Sequence, residues 1–166
     1  MHKLIRVFRH VSYPSWWLRR VLPGSSLDRI GKAVADSEAH HGAEIRVALE
    51  TSLGWRSLLQ GETARQRAEG VFTSLRVWDT ELNNGVLIYL LLADREFEIV
   101  ADRGLARVVE QAEWERLCRA MEAHFRAGQH EKALLYGIEV IGKRLGTLYP
   151  HLANDANELP DRPVIL

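Results

Sequence analysis

The residues best suited to chemistry in this chain are oxygen donors: Glu44, Asp79, Asn83, Asn84 and Asp102, with His41 close to the first. Carboxylates and amide carbonyls are the hard ligands that calcium and magnesium prefer, so brought together they would make a divalent-ion site. Their spacing matches no EF-hand loop, and Asn83-Asn84-Gly85 also reads as a turn whose side chains satisfy nearby backbone groups. A second group, Thr51, Ser52, Asp94 and Arg95, is the alternative anion site, because an arginine can hold a phosphate bidentately. It lacks a glycine-rich phosphate loop, and Asp94-Arg95 serves as well as an exposed hairpin turn. Glu38-x-His40-His41-x-x-Glu44 contains zinc-type ligands, but it crosses a predicted helix end and lacks the His-Glu-x-x-His order, so solvated helix-end histidines fit it better. No serine stands in a Gly-x-Ser-x-Gly elbow, and no nucleophile is paired with a base. Cys118 is the single cysteine, which excludes an intramolecular disulfide and a multi-cysteine zinc site, and its place in an apolar helical stripe predicts a buried, inert thiol.

The oxygen donors meet only if the surrounding elements bring them to one place. Ser25-x-x-Asp28 predicts the cap of a helix over about Leu27 to His40, stopped by Gly42. From Ala43 to Thr51 the pattern changes to period two, with Ile45, Val47 and Leu49 facing one way and Glu44, Arg46 and Glu50 the other, a half-buried strand. After a connection over Gly54 to Gly61, Thr63-x-x-Gln66 caps a helix with the inner stripe Ala64, Ala68, Val71, Phe72, Leu75 and Trp78. Gly85 to Ala93 is apolar on both faces, as a central strand should be, and Phe97, Ile99 and Ala101 alternate in a third strand after the Asp94-Arg95 turn. Two more helices carry Trp114, Leu117, Cys118, Met121 and Phe125, then Leu134, Ile138, Ile141 and Leu145, and Pro150 opens an extended or loose tail. Gly137, Gly142 and Gly146 in the last helix call for close packing to offset their cost.

The fold class is therefore α/β, a small mixed sheet between layers of helices. Its first two strands are parallel through a right-handed crossover, and the second and third form a hairpin. In that topology the starts of the first two strands and the end of the third share one edge. Glu44, Asp79, Asn83, Asn84 and Asp102 converge there, while Asp94 and Arg95 sit at the opposite end.

A chain of 166 residues suits one core, and 22 lysines and arginines balance 22 aspartates and glutamates, so no global field points to nucleic acid. The division expected is a basic amphipathic arm over residues 1–23, an α/β domain over 24–149 and a tail over 150–166. Lys3, Arg6, Arg9, Arg19 and Arg20 all precede the first acid, Asp28. Leu4, Ile5, Phe8 and Val11 stand at helical spacing, Pro14 divides the arm, and Trp16, Trp17, Arg19 and Arg20 suit a membrane headgroup interface or a membrane-protein partner. Packing of the arm on its own domain is equally open. No signal-peptide h-region is visible, and Val86 to Ala93 is far shorter than the roughly 20 residues that span a bilayer. The expected location is the cytoplasm, with the arm able to bring the protein peripherally to a membrane.

Glu44-Ile45-Arg46-Val47, the helix through Val71-Phe72 to Trp78, Asn83-Asn84-Gly85-Val86-Leu87-Ile88 and Asp102-Arg103-Gly104-Leu105 together resemble the TPM domain, a module of bacterial and thylakoid-lumen proteins, over roughly Leu27 to Leu148. The resemblance implies a compact α/β sandwich and associations with calcium binding, weak acid-phosphatase activity and the repair or assembly of membrane complexes. The chain departs from the family in three places: it has the basic arm instead of an export signal, Pro23-Gly-Ser-Ser instead of an acidic segment, and Asp102 where a glycine commonly stands. The function expected is a TPM-domain binding or scaffold protein without catalytic machinery, holding calcium or magnesium at the Asn84 edge. The alternative is a metal-dependent phosphatase for phosphomonoesters, in which an ion on Asp79, Asn84 and Asp102 activates water.

Overall fold

The computed structural model describes residues 2–14, 16–151 and 157–166; the side chains of residues 2–4, including Lys3 and Leu4 of the expected amphipathic arm, lie outside that description. Four strands, β1 (Ile45–Glu50), β2 (Val86–Leu91), β3 (Glu96–Ala101) and β4 (Val164–Ile165), form one mixed sheet in the order β3-β2-β1-β4. β1 and β2 are parallel with Ile45 opposite Val86, and β2 and β3 are antiparallel with Val86 opposite Ala101, as the sequence predicts. The helices are α1 (His2–Ser12), α2 (Trp16–Val21), α3 (Gly24–Glu38), α4 (Trp55–Gln60), α5 (Ala64–Ser74), α6 (Arg103–Ala106), α7 (Gln111–Arg126) and α8 (His130–Leu148).

Strand alternation divides the core in two. Ile45, Val47, Leu49, Val86, Ile88 and Leu90 meet α3, α7 and α8 through Ile30, Val34, Met121, Ile138 and Ile141. Ala48, Leu87, Tyr89 and Leu91 meet Ala64, Ala68 and Val71 of α5 on the other face. Each fully buried aliphatic contributes about 1.5–3 kcal/mol, so both layers are needed to hold the sheet against its entropy cost. On α8, any side chain at Gly137 or Gly142 would collide with Met121 or Ser37, the close packing those glycines call for.

The tail decides between two alternatives and corrects a third expectation. Of the extended or loose tail, residues 157–166 include an extended strand: β4 lies parallel to β1, with Ala48 opposite Val164. Covered on that side, β1 is buried on both faces instead of one. Its polar residues are paired instead of solvated. Arg46 donates to the carbonyls of Pro160 (2.5 Å) and Arg162 (2.6 Å), and Glu50 accepts from Arg67 (2.8 and 3.0 Å) and from the Tyr89 hydroxyl (2.6 Å). Burial lowers the pKa of Arg46 from its ordinary value.

Other corrections are local. α3 starts at Gly24 behind Pro23 with no side-chain cap, and Ser26 instead donates to Glu131 at 2.6 Å. The Thr63–Gln66 capping box of α5 is present, but that helix ends at Ser74, and Arg76 turns the chain at φ 55°, which leaves Trp78 exposed instead of inward. The connection before Gly61 contains α4. The outer rim of β3 is interrupted by side chains: Arg65 donates to the Ile99 carbonyl (2.8 Å), and the Phe97 amide donates to Glu122 (3.4 Å). Among the described residues no helix is long and apolar enough to cross a membrane.

Candidate functional site

The loop from Val77 to Gly85 and the turn from Asp102 to Gly104 are locked together. The Asn84 amide donates to the Thr80 hydroxyl at 3.1 Å, and Asn83 takes the left-handed conformation, φ 52°, that asparagine tolerates. The Asn83 side-chain oxygen accepts from Arg103 at 2.8 and 2.5 Å, and the Gly104 amide donates to the Asn83 carbonyl at 3.0 Å. A side chain at Gly85 would overlap the Val77 carbonyl, and one at Gly104 would overlap that of Asn83. Glycine is therefore required at both places for the two turns to close on each other.

Within this bundle Asn84 is 1% exposed. Its amide nitrogen donates to the Gly42 carbonyl at 2.6 Å, and its oxygen Oδ1 is buried without a partner among the described residues. Asp102, 7% exposed, caps α6 by accepting from the Arg103 amide at 2.7 Å, and its Oδ2 is likewise buried and unpartnered. Gly42 in turn donates to the Tyr149 carbonyl at 2.9 Å, and the Tyr149 hydroxyl lies against Gly104. Burial, and then the charge of Asp102, raise the Tyr149 pKa. An amide carbonyl and a carboxylate oxygen are hard donors, so this donor set fits calcium or magnesium, with backbone carbonyls and water to complete the shell.

The other predicted ligands are placed differently. Glu44 is buried, with Oε2 accepting from the Leu159 amide at 3.0 Å. Asn83 is committed to Arg103, and Asp79 is exposed on its turn. Among the described residues no three His, Cys, Asp or Glu side chains stand so as to hold a metal ion by themselves.

Beside this bundle a cleft of about 380 Å³ is lined by Glu38, His41, Gly42, Glu44, Glu81 and Glu158. Glu38 accepts from the Ile45 amide at 2.7 Å while its other oxygen is buried and unpartnered. Burial, reinforced by the charges of Glu44 and Asp161, pushes the Glu38 carboxyl up to about 8. Burial also raises Glu44, with Glu158 and Asp161 adding to it. His41 is buried instead of solvated: Nε2 lies 3.0 Å from the Ser37 hydroxyl, Nδ1 accepts from the Ala43 amide at 3.3 Å, and burial lowers its pKa. His40 is exposed at the helix end, as expected.

Glu38 and Tyr149 are the residues that sequence reasoning missed as parts of the site. Glu38 was visible only inside the zinc-like pattern, and Tyr149 only as the residue before the Pro150 helix stop.

The opposite end of the sheet is organised from within the chain. Asp94 is buried instead of exposed at a hairpin tip, and it pairs with Arg6 (2.9 and 2.8 Å), Arg9 and His10 (3.1 Å). Burial alone would raise its pKa, but His10 and Arg6 hold it well below the carboxylate range. The arginine–anion pairing at this end is thus made between the arm and Asp94, while Arg95 is exposed with φ 56°. In the arm, Trp17 packs against the core and lies under Arg20 (5.8 Å), while Trp16, Arg19 and Arg20 are exposed. Cys118 is buried, and burial pushes its thiol up to about 12, the inert state expected.

Comparison with known proteins adds a family and a fold. The TPM domain family matches residues 18–144. The NMR structure of the BA42 protein from the psychrophilic bacterium Bizionia argentinensis is similar at 32% identity, with a TM-score of 0.77 over 87% of this chain and 95% of that one. The solution NMR structure of the N-terminal domain of a P. gingivalis protein has 17% identity and a TM-score of 0.65, over 86% of this chain and 95% of that one, a likeness of fold alone. No curated protein matches.

Proposed function

The chain belongs to the TPM domain family, and from that premise we propose that it is a non-catalytic binding module that holds a divalent cation, calcium or magnesium, where Asn84 and Asp102 meet. The observation that supports this most is the pair of buried oxygens, Asn84 Oδ1 and Asp102 Oδ2, left without partners among the described residues on two turns that hydrogen bonds tie together. An unsatisfied buried polar atom costs about 1–3 kcal/mol, a cost that a hydrated cation ligated by either oxygen would relieve. In this reading residues 1–23 are the surface that recruits the module to a membrane or to a membrane protein.

A phosphatase has less support. The Ser37 hydroxyl lies 3.0 Å from His41 Nε2, but His41 Nδ1 accepts the Ala43 amide, so the ring proton sits on Nε2 and the imidazole donates to Ser37 instead of acting as its base. The neighbouring cleft is lined by glutamates that repel a phosphomonoester unless a cation neutralises them. Calcium titration followed by backbone NMR tests the reading. Saturable shifts are expected at Asn84, Gly85 and Asp102 to Gly104, and they disappear in Asp102→Ala. Shifts confined to Glu38, Glu44 and Glu158, or none at all, overturn the site. Turnover of a generic phosphomonoester that Asp102→Ala abolishes overturns the non-catalytic assignment.

A further inference from the structure

Helix α1 is mounted with its charged side inward. Arg6, Arg9 and His10 reach Asp94, Arg6 also donates to the Glu62 carbonyl at 2.8 Å, and the Leu53 amide donates to His10 at 3.0 Å. The opposite face carries Ile5, Phe8 and Val11, which are 60%, 75% and 75% exposed, and Trp16 at the start of α2 is 55% exposed. One exposed apolar side chain is ordinary, but a consecutive ridge of them marks an interaction surface. The charge network also keeps it exposed, because rolling α1 over to bury its apolar face would strip a buried carboxylate of its partners.

We infer that this ridge lays α1 and α2 into the plane of an anionic lipid surface, an inference that deepens the recruiting role given to residues 1–23 and rests on it. Charge favours this occupant: the chain has no acidic residue before Asp28, and Arg19 and Arg20 stand exposed a few residues beyond Trp16. Tryptophan and arginine together suit the headgroup layer, with the aliphatic and phenyl groups reaching the acyl boundary. Exposure favours it as well: Ile5, Phe8, Val11 and Trp16 are each more than half exposed, and a fluid lipid surface covers such side chains without a matching groove.

Co-sedimentation of the full chain with vesicles of phosphatidylcholine alone, or of phosphatidylcholine with phosphatidylglycerol, tests this. Binding to the mixed vesicles is expected, weakened by added salt. Phe8→Ser and Val11→Ser should each lower partitioning about tenfold without moving the thermal transition, since both residues are exposed. Arg19→Gln with Arg20→Gln should remove the preference for phosphatidylglycerol. No sedimentation with either vesicle, or binding that both serine variants retain, overturns the inference. So does self-association in solution that the serine variants dissolve, because a second copy of the chain then covers the ridge. The calcium shifts at Asn84 and Asp102 are read separately, so failure at the vesicle leaves the ion site standing, and the reverse.

Discussion

His10 Nε2 lies 3.1 Å from Asp94 Oδ1, while His10 Nδ1 accepts the Leu53 amide at 3.0 Å. An acceptor nitrogen carries no proton, so the ring proton must sit on Nε2 and face the carboxylate. One buried aspartate at the hairpin turn thereby fixes both the arm and the imidazole tautomer.

Asp94→Asn should cost about 1–3 kcal/mol in urea unfolding, because it leaves the buried His10 and the partly exposed Arg6 and Arg9 without their anion. Hydrogen exchange should rise first in α1. The folded pKa of Asp94 is depressed, so its contribution is full above the ordinary carboxylate value of about 3.9 and is lost as pH falls through the lower folded value. The gap between wild type and variant should be flat at neutral pH and close only in strong acid.

Glu38→Gln should act at the other end of the pH scale. The folded pKa is raised from 4.5 to about 8, so the folded protein holds a proton that the unfolded chain releases, and wild-type stability declines as pH rises through that interval. Glutamine keeps an acceptor for the Ile45 amide without the charge. The variant should be more stable than wild type by roughly 2 kcal/mol above pH of about 8 and equal to it in mild acid, as measured by urea midpoints across pH.

A chain ending at residue 156 loses the partners of Arg46 and Glu44 together with β4. Stranding a buried guanidinium and opening the edge of β1 should cost at least about 3 kcal/mol. For a chain of this size that corresponds to a fall of roughly 6–12 °C in Tm, readable by circular dichroism.

Tyr89→Phe removes the hydroxyl that donates to Glu50 at 2.6 Å, but Arg67 still holds that carboxylate. The expected cost is about 1–2 kcal/mol in urea unfolding. Arg67→Met should cost more, since it leaves the carboxylate with the neutral hydroxyl alone.

The parts of this fold legible in the sequence are those whose signal is local. The double-sided apolar run through Val86 to Leu91, the alternation of Phe97, Ile99 and Ala101, and the stripes of α7 and α8 each carry their own period, and topology then brought Asn84 and Asp102 to one edge. Partners distant in sequence were not legible. Arg46 and Glu50 look like a solvent face until Pro160, Arg162, Arg67 and Tyr89 are placed beside them. Whether a donor is left free depends on the same knowledge: Glu44 is taken by Leu159 and Asn83 by Arg103, pairings that no spacing within the loop reveals. A two-residue strand such as β4 has no period to detect.

The interrupted rim of β3 bears on how the protein behaves when crowded. A sheet edge with free amides and carbonyls templates the next strand, and runs as apolar as β2 and β3 are hazardous if another chain can add to them. Arg65 takes the outward carbonyl of Ile99 and Glu122 the outward amide of Phe97, while the opposite edge is a strand of only two residues. Among the described residues one border is interrupted and the other short, which disfavours edge-on polymerisation without closing the sheet into a barrel.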